Sequence, residues 1–122
     1  MSDASTNPAP VGPYTPAVRA GDWIVCSGQL GLLEGRLVDG GVEAQVAQAV
    51  RNIAGLLEAE GCGLDAVVKT TVFLADIGDY PAMNDAYTTA FGPYRPARSA
   101  FAVAALPLGA LVEIEAWAHA GS

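Results

Sequence analysis

Arg98 and Glu113 are the charged side chains whose type and setting best suit work on a small polar ligand. Arg98 follows Arg95-Pro96-Ala97 at the mouth of an extended apolar run. A guanidinium there can hold a carboxylate through two parallel charge-assisted hydrogen bonds. It can equally make an interface ion pair with Glu113 or Glu115, and spacing alone favours that structural role. Glu113 lies in the last apolar run, where partial burial would raise its pKa and let it hold or activate a water. A plain ion pair is the competing reading. Tyr14, in Gly12-Pro13-Tyr14, can close a pocket or donate a hydrogen bond, or can be a simple surface or interface aromatic. In Ser27-Gly28-Gln29 the glycine lets a ligand approach the backbone, unless it only makes a turn. Asn84 can orient a polar group, although a solvated helix face is the commoner fate of such a residue.

Other chemistries find few residues to use. Cys26 and Cys62 have no CxxC spacing and read as small buried apolar residues rather than reactive thiols or a disulfide framework. The one histidine, His119, lies near the C-terminus, so a zinc site or a Ser-His or Cys-His pair is improbable. No phosphate-cradling glycine motif occurs. No metal, nucleotide or other cofactor is therefore expected. With 6 basic and 13 acidic residues the net charge is -7, which disfavours nucleic acid and anionic membrane as partners. The longest uncharged apolar run, residues 100–112, is broken by Pro107 and Gly109 and does not span a bilayer. The polar, Pro-rich start does not read as a secretory signal, so the expected location is the cytoplasm.

The elements that would position these residues fit one domain. The chain has 122 residues, 52% of them hydrophobic. Residues 1–12 read as a flexible lead and residues 13–120 as the folded unit. Residues 17–20 and 23–27 form a hairpin about Gly21-Asp22. Residues 28–41 hold five glycines and read as a loop with a strand piece near residues 36–38. Residues 43–60 form a helix whose Val46, Val50, Ile53 and Leu57 make one apolar stripe. Residues 66–75 are β-branched and extended. A second helix begins at Asp79, an N-cap candidate, with Pro81 in its first turn and a stripe of Met83, Tyr87, Ala90 and Phe91. Gly92-Pro93 ends it. Residues 98–104 and 111–119 are two strands joined by a turn around residues 107–109. The order is β-β-α-β-α-β-β: an α+β subunit with two helices on one face of a mostly antiparallel sheet.

Strand alternation places Ser99, Phe101 and Val103 on one face and Arg98, Ala100 and Ala102 on the other. Val112, Ile114, Ala116 and Ala118 likewise oppose Leu111, Glu113, Glu115 and Trp117. The Phe/Val/Ile faces suit packing against the helices. The opposite faces, with Lys69, Thr71 and Phe73 adding to them, are too apolar for solvent and too charged for a core. A covering subunit is expected there. If the last two strands form a hairpin centred near Pro107, Arg98 opposes Trp117. Glu113 is then about 13 Å away at ~3.3 Å per residue, too far for one small substrate to bridge within a chain.

Seven short stretches, in order, resemble the Rid/YjgF family of imine deaminases. They are Gly12-Pro13-Tyr14 with Ala17-Val18 and Gly21; Ser27-Gly28-Gln29; Glu43-Ala44-Gln45; Val68-Lys69-Thr70-Thr71-Val72-Phe73-Leu74; Met83-Asn84 with Tyr87 and Phe91; Pro96-Ala97-Arg98-Ser99; and Glu113-Ile114-Glu115-Ala116. The resemblance covers about residues 10–118. It implies a chorismate-mutase-like subunit, a homotrimer with pockets between subunits, and cofactor-free hydrolysis of 2-imino acids such as 2-iminopropanoate, its enamine tautomer 2-aminoacrylate, and 2-iminobutanoate. The products are 2-keto acids and ammonia. By the same resemblance Arg98 binds the substrate carboxylate, Glu113 handles the attacking water, and Tyr14 lines the pocket. Ser27, Gly28 and Asn84 match further substrate-binding positions, and backbone near Ala100 can help hold the water.

Such a reaction suits the residues present. An imine is already electrophilic, so positioning and electrostatics suffice. Three departures bear on substrate choice. Ala100 stands where many members have cysteine, Ala102 and Ala105 replace charged residues, and the loop at residues 30–36 is short and lacks a Pro-x-Thr-Gly segment. Two other readings remain beside the deaminase: a non-catalytic trimer that binds a small carboxylate, and a deaminase of a different imine or enamine. The ribonuclease label that the family has also carried finds no basic patch here.

Overall fold

The computed structural model describes residue 10 and residues 12–121, so most of the expected lead at residues 1–12 lies outside the described residues. Strands β1 (Ala17–Ala20) and β2 (Trp23–Leu30) form the expected hairpin. Its turn uses Gly21 at φ 63°, in the left-handed region that glycine tolerates. β2 runs further than expected. Ser27-Gly28-Gln29 lies inside the strand, because a bulge between Cys26 and Gln29 absorbs an extra residue. The glycine-rich stretch beyond it holds a small hairpin, β3 (Leu32–Leu33) and β4 (Arg36–Leu37), where one strand piece was expected. Glu34 and Gly35, both with positive φ, turn it.

Helix α1 (Gly41–Glu58) starts and stops two residues earlier than expected, with Val46, Val50, Ile53 and Leu57 all buried. β5 (Val67–Leu74) follows, then α2 (Tyr80–Phe91), which buries Met83, Tyr87 and Phe91. Asp79 precedes α2 but makes no side-chain cap. It is Asp76, one turn earlier, whose carboxylate accepts from the Gly78 N–H at 2.9 Å. β6 (Ala97–Ala102) and β7 (Val112–His119) complete the chain.

The large sheet has the order β1-β2-β7-β5-β6, and only β5 and β6 are parallel. The α+β layout with both helices against one face therefore stands. The expected hairpin between the last two strands does not form. β6 returns through α2 and lies parallel to β5, as a helical crossover dictates. The segment at residues 103–111 then passes over the end of β5, where Val103 N–H donates to Leu74 C=O at 2.8 Å and Ala75 N–H donates to Leu111 C=O at 3.0 Å. That delivers β7 between β2 and β5, antiparallel to both.

The register also corrects one face assignment. Ile24, Cys26, Thr70, Val72, Ile114 and Ala116 face the helices, fully or almost fully buried. Arg98 pairs with Thr70, so Arg98 and Ala100 lie on the helix face of β6. Phe101, expected toward the helices, pairs with Phe73 on the open face, and the two rings meet edge to face at 5.3 Å. Lys69, Thr71, Glu113, Glu115 and Trp117 share that open face, as the alternation requires.

Buried amides of α1 fix the strand ends that carry the candidate residues. Asn52 donates to the Leu30 and Leu32 carbonyls at 3.2 and 3.0 Å, and Gln48 donates to Asn52 at 2.9 Å. Gln45 Oε1 accepts from the Leu111 N–H at 2.9 Å, just before β7. These bonds pin the end of β2 and the start of β7, on either side of Gly28 and Glu113.

Candidate active site

Arg98 projects from edge strand β6 into the side of α2. Its Nη2 donates to Asn84 Oδ1 at 2.6 Å and to Tyr80 Oη at 2.9 Å. Nη1 reaches Met83 Sδ at 3.8 Å. The guanidinium carbon lies 4.9 Å from the Tyr87 ring centre and 5.6 Å from that of Tyr80, within cation–π range of both. Tyr87 is itself fixed, with its hydroxyl 2.6 Å from the Thr70 hydroxyl. Burial raises the Tyr87 pKa, against the opposing pull of the Thr70 bond and Arg98. Every partner of Arg98 is neutral, and among the described residues no carboxylate lies within ion-pair distance of it. The structural ion pair to Glu113 or Glu115 does not form within the chain. A half-buried guanidinium aligned by neutral acceptors keeps its charge for an anionic ligand. Asn84 thus joins Arg98, and Ala100 follows on the same face of β6.

Glu113 occupies the other side of the sheet. Its row runs Phe101–Phe73–Glu113 across three strands. Arg98 is two strands and three residues away, about 14 Å by strand spacing and rise, and points to the opposite face. The expected separation stands, with β5 rather than a hairpin as its cause. Burial raises the Glu113 pKa first, and the like charge of Glu115 adds to it. A carboxylate so placed is a stronger base than an exposed one.

Gly28 makes room for this carboxylate. A Cβ on Gly28 would lie 2.7 Å from Glu113 Cδ and 2.9 Å from Cγ, and closer still to Oε2. The close approach that glycine permits here is that of the protein's own acid. Ser27 Oγ is committed, donating to Thr15 C=O at 2.7 Å, while Ser27 N–H donates to Pro16 C=O at 2.8 Å. These two bonds hold the chain beside Tyr14 against the bulge. Tyr14 is exposed, and its N–H donates to Gly12 C=O at 2.9 Å. The candidate residues thus fall into two groups: Arg98, Asn84 and Ala100 beside α2, and Glu113, Gly28, Ser27 and Tyr14 about the bulge.

Tyr80, Thr70 and the ring role of Tyr87 are additions to the expected site. Tyr80, Asn84 and Tyr87 recur at helical spacing on one face of α2, a signal present in the sequence. The larger cleft, about 550 Å³, lies between α1 and α2 and includes Ala47, Arg51, Asp85 and Ala86 but none of the candidate residues. A smaller one, about 380 Å³, lies on the open face between Trp23, Lys69, Glu115 and Trp117. Among the described residues no cluster of His, Cys, Asp and Glu could hold a metal ion, and no helix is long and apolar enough to cross a membrane.

A family model described as endoribonuclease L-PSP matches residues 4–120. The mouse protein named 2-iminobutanoate/2-iminopropanoate deaminase is 49% identical over 116 residues, 93% of this chain and 86% of its own. The crystal structure of RidA from the Antarctic bacterium Psychrobacter sp. superposes with a TM-score of 0.90 at 39% identity, covering 98% of this chain and 96% of that one. The YjgF gene product of E. coli superposes with a TM-score of 0.86 at 36% identity, each chain being covered to 93%. The chain belongs to the endoribonuclease L-PSP family, the Rid/YjgF group that its motifs resemble.

Proposed function

We propose that this protein hydrolyses 2-imino acids, 2-iminobutanoate and 2-iminopropanoate among them, to 2-keto acids and ammonia. The observation that carries the reading is Arg98, a half-buried guanidinium oriented by Tyr80, Asn84 and Met83 and paired with no carboxylate among the described residues. The imino acid carboxylate takes that place. Water adds to the imine carbon, passing a proton to Glu113, which returns it to the nitrogen; the carbinolamine's hydroxyl proton follows the same route, and the nitrogen leaves as ammonia. The C=N bond is replaced by C=O, and no electrons change hands. Tyr14 shields the pocket, and backbone near Ala100 helps place the water. Positioning and a basic carboxylate supply the rate.

Arg98 and Glu113 act together only when they come from different copies, because one chain turns them to opposite faces. A homotrimer with the open face covered meets this need. The exposed Trp117 and Phe101, with Phe73 beside them, favour such a covering. The names of relatives such as the mouse deaminase support the reaction class. RNA cleavage is disfavoured by the net charge of -7 and by a single histidine, His119, whose ring stacks edge to face on Trp23. The working location we assign is the cytoplasm, in keeping with two unpaired cysteines.

The test is a coupled assay. An amino-acid oxidase generates 2-iminobutanoate or 2-iminopropanoate while semicarbazide traps it. The protein should suppress semicarbazone formation and raise 2-keto acid. No suppression across several imino acids would end the general deaminase reading and leave a carboxylate-binding trimer or a deaminase of a different imine or enamine.

A further inference from the structure

The hydrogen-bond inventory of Arg98 carries a specific consequence for ligand recognition, and it rests on Arg98 being the carboxylate anchor proposed above. A guanidinium offers a carboxylate two forks, Nη1 with Nη2 and Nε with Nη2, and each needs an Nη2 hydrogen. Nη2 has two hydrogens and already donates to two acceptors, Asn84 Oδ1 at 2.6 Å and Tyr80 Oη at 2.9 Å. A bidentate carboxylate must therefore displace one of these acceptors.

The two differ in what they can do next. The Asn84 carbonyl can only accept, and it makes the shorter bond. The Tyr80 hydroxyl accepts from Arg98 through its oxygen and carries a proton of its own with no other acceptor among the described residues. When a carboxylate oxygen takes its place at Nη2, that proton can turn to the same oxygen. We propose that Tyr80 is a specificity-determining residue that reads the substrate carboxylate: its hydroxyl accepts from Arg98 in the free protein and donates to the carboxylate that displaces it. Asn84 keeps the guanidinium aligned throughout. The hydroxyl thus satisfies Arg98 while the site is empty and adds a third donor when it is filled. A neutral amide in the place of the carboxylate gains less, because the donated bond is then not charge-assisted.

The variant that isolates the hydroxyl is Tyr80→Phe, which keeps the ring over Arg98. Two readouts are taken on the full-length protein, with its thermal midpoint as a check on folding. The first is binding of 2-oxobutanoate, and of its uncharged amide, by titration calorimetry. The second is KM and kcat for oxidase-generated 2-iminobutanoate. The bond to Arg98 is lost whichever ligand enters, so Tyr80→Phe should lower the preference for 2-oxobutanoate over its amide about 10-fold, the difference between a charge-assisted hydrogen bond and a neutral one. For 2-iminobutanoate the change should appear in KM, with kcat within about twofold. A hydroxyl that only braces Arg98 would weaken acid and amide alike or neither, and that result overturns the proposal. Wild-type protein that shows the Tyr80-dependent preference for carboxylate without hydrolysing any imine keeps this inference and removes the deaminase reading. Wild-type protein that hydrolyses imines while Tyr80→Phe matches it in both readouts does the reverse. Wild-type protein that neither binds the acid nor turns over imine overturns both.

Discussion

Arg98 and Glu113 sit two strands apart in one sheet and are held by opposite means. Arg98 is surrounded: Tyr80, Asn84, Met83 and Tyr87 touch it from α2, and Thr70 holds Tyr87 in turn. Among the described residues no carboxylate pairs with it, which leaves the guanidinium open to an anionic ligand. Glu113 has no hydrogen bond or ion pair among the described residues. A missing side chain at Gly28 gives it space, while burial and Glu115 make its charge unfavourable. One sheet thus supplies two kinds of group. A binding charge is fixed by many contacts in a finished layer. A proton-accepting charge is made basic by leaving it short of them.

Deleting either charge tests the division most severely. Arg98→Ala and Glu113→Gln should each lower kcat/KM by at least about 100-fold. Glu113→Gln should act on kcat and Arg98→Ala on KM as well. Mixing the two inactive variants before assembly asks whether one site draws on two copies. If one copy supplies the arginine and another the glutamate, about one site in four has both, and about a quarter of the wild-type rate returns. A mixture as inactive as its components would mean that no site is shared between copies.

Gly28→Ala should act on the Glu113 side alone. The backbone at Gly28 needs no positive φ, so the obstacle to a methyl group is the glutamate itself, 2.7 Å away at Cδ. Displacing the carboxylate by about 1 Å should cost kcat roughly 10- to 100-fold, with KM nearly unchanged. The double variant Gly28→Ala/Glu113→Gln should be no slower than Glu113→Gln alone. Additive losses in steady-state assays would instead return Gly28 to the substrate-contacting role suggested by its motif.

The two regions differ in how far the sequence discloses them. The apolar stripe Val46, Val50, Ile53 and Leu57 and the β-branched run of β5 are local patterns, and both elements form where those patterns lie. The alternation around Glu113 also reads correctly, since Glu113, Glu115 and Trp117 do share the open face. The setting of Arg98 was hidden by topology. Two adjacent strands with a turn between them suggest a hairpin, yet α2 brings β6 back parallel to β5, and the following segment crosses the sheet end. Hydrophobicity misled as well. Phe101 has the more apolar face of β6, but that face meets Phe73 in the open while Arg98 packs against the helix. The bulge at Gly28 depends on a register shift of one residue, which only the paired strand β7 defines.

On the Arg98 side the outermost support is the Thr70–Tyr87 bond, 2.6 Å long and fully buried at Thr70. Thr70→Val keeps the shape and orphans the Tyr87 hydroxyl. It should cost about 1–2 kcal/mol in urea unfolding at fixed protein concentration. Tyr87→Phe added to it should cost less than the sum of the single changes, because the second removes the orphan. Strict additivity would show that the hydroxyls do not depend on each other.

The smallest change asks whether Glu113 really titrates as an unfavoured charge. Glu115 is its neighbour on the same face of β7 and raises its pKa, second to burial. As pH falls through the raised value the carboxylate takes a proton and can no longer accept one from water, so kcat/KM should fall on the acid side with an apparent pKa above the ordinary carboxylate range. Glu115→Gln removes only the lesser cause. The acid limb should move to lower pH yet stay above the value of an exposed glutamate, with the plateau rate little changed. Stability carries the opposite sign. The folded chain binds this proton more tightly than the unfolded chain. Glu113 therefore favours folding fully below the ordinary glutamate pKa, and that contribution is lost as pH rises through the raised value. Near neutral pH Glu113→Gln should thus raise the thermal midpoint while abolishing turnover. A limb that ignores Glu115, together with a lower midpoint for Glu113→Gln, would mean that Glu113 is a partnered, structural charge and that the contrast with Arg98 fails.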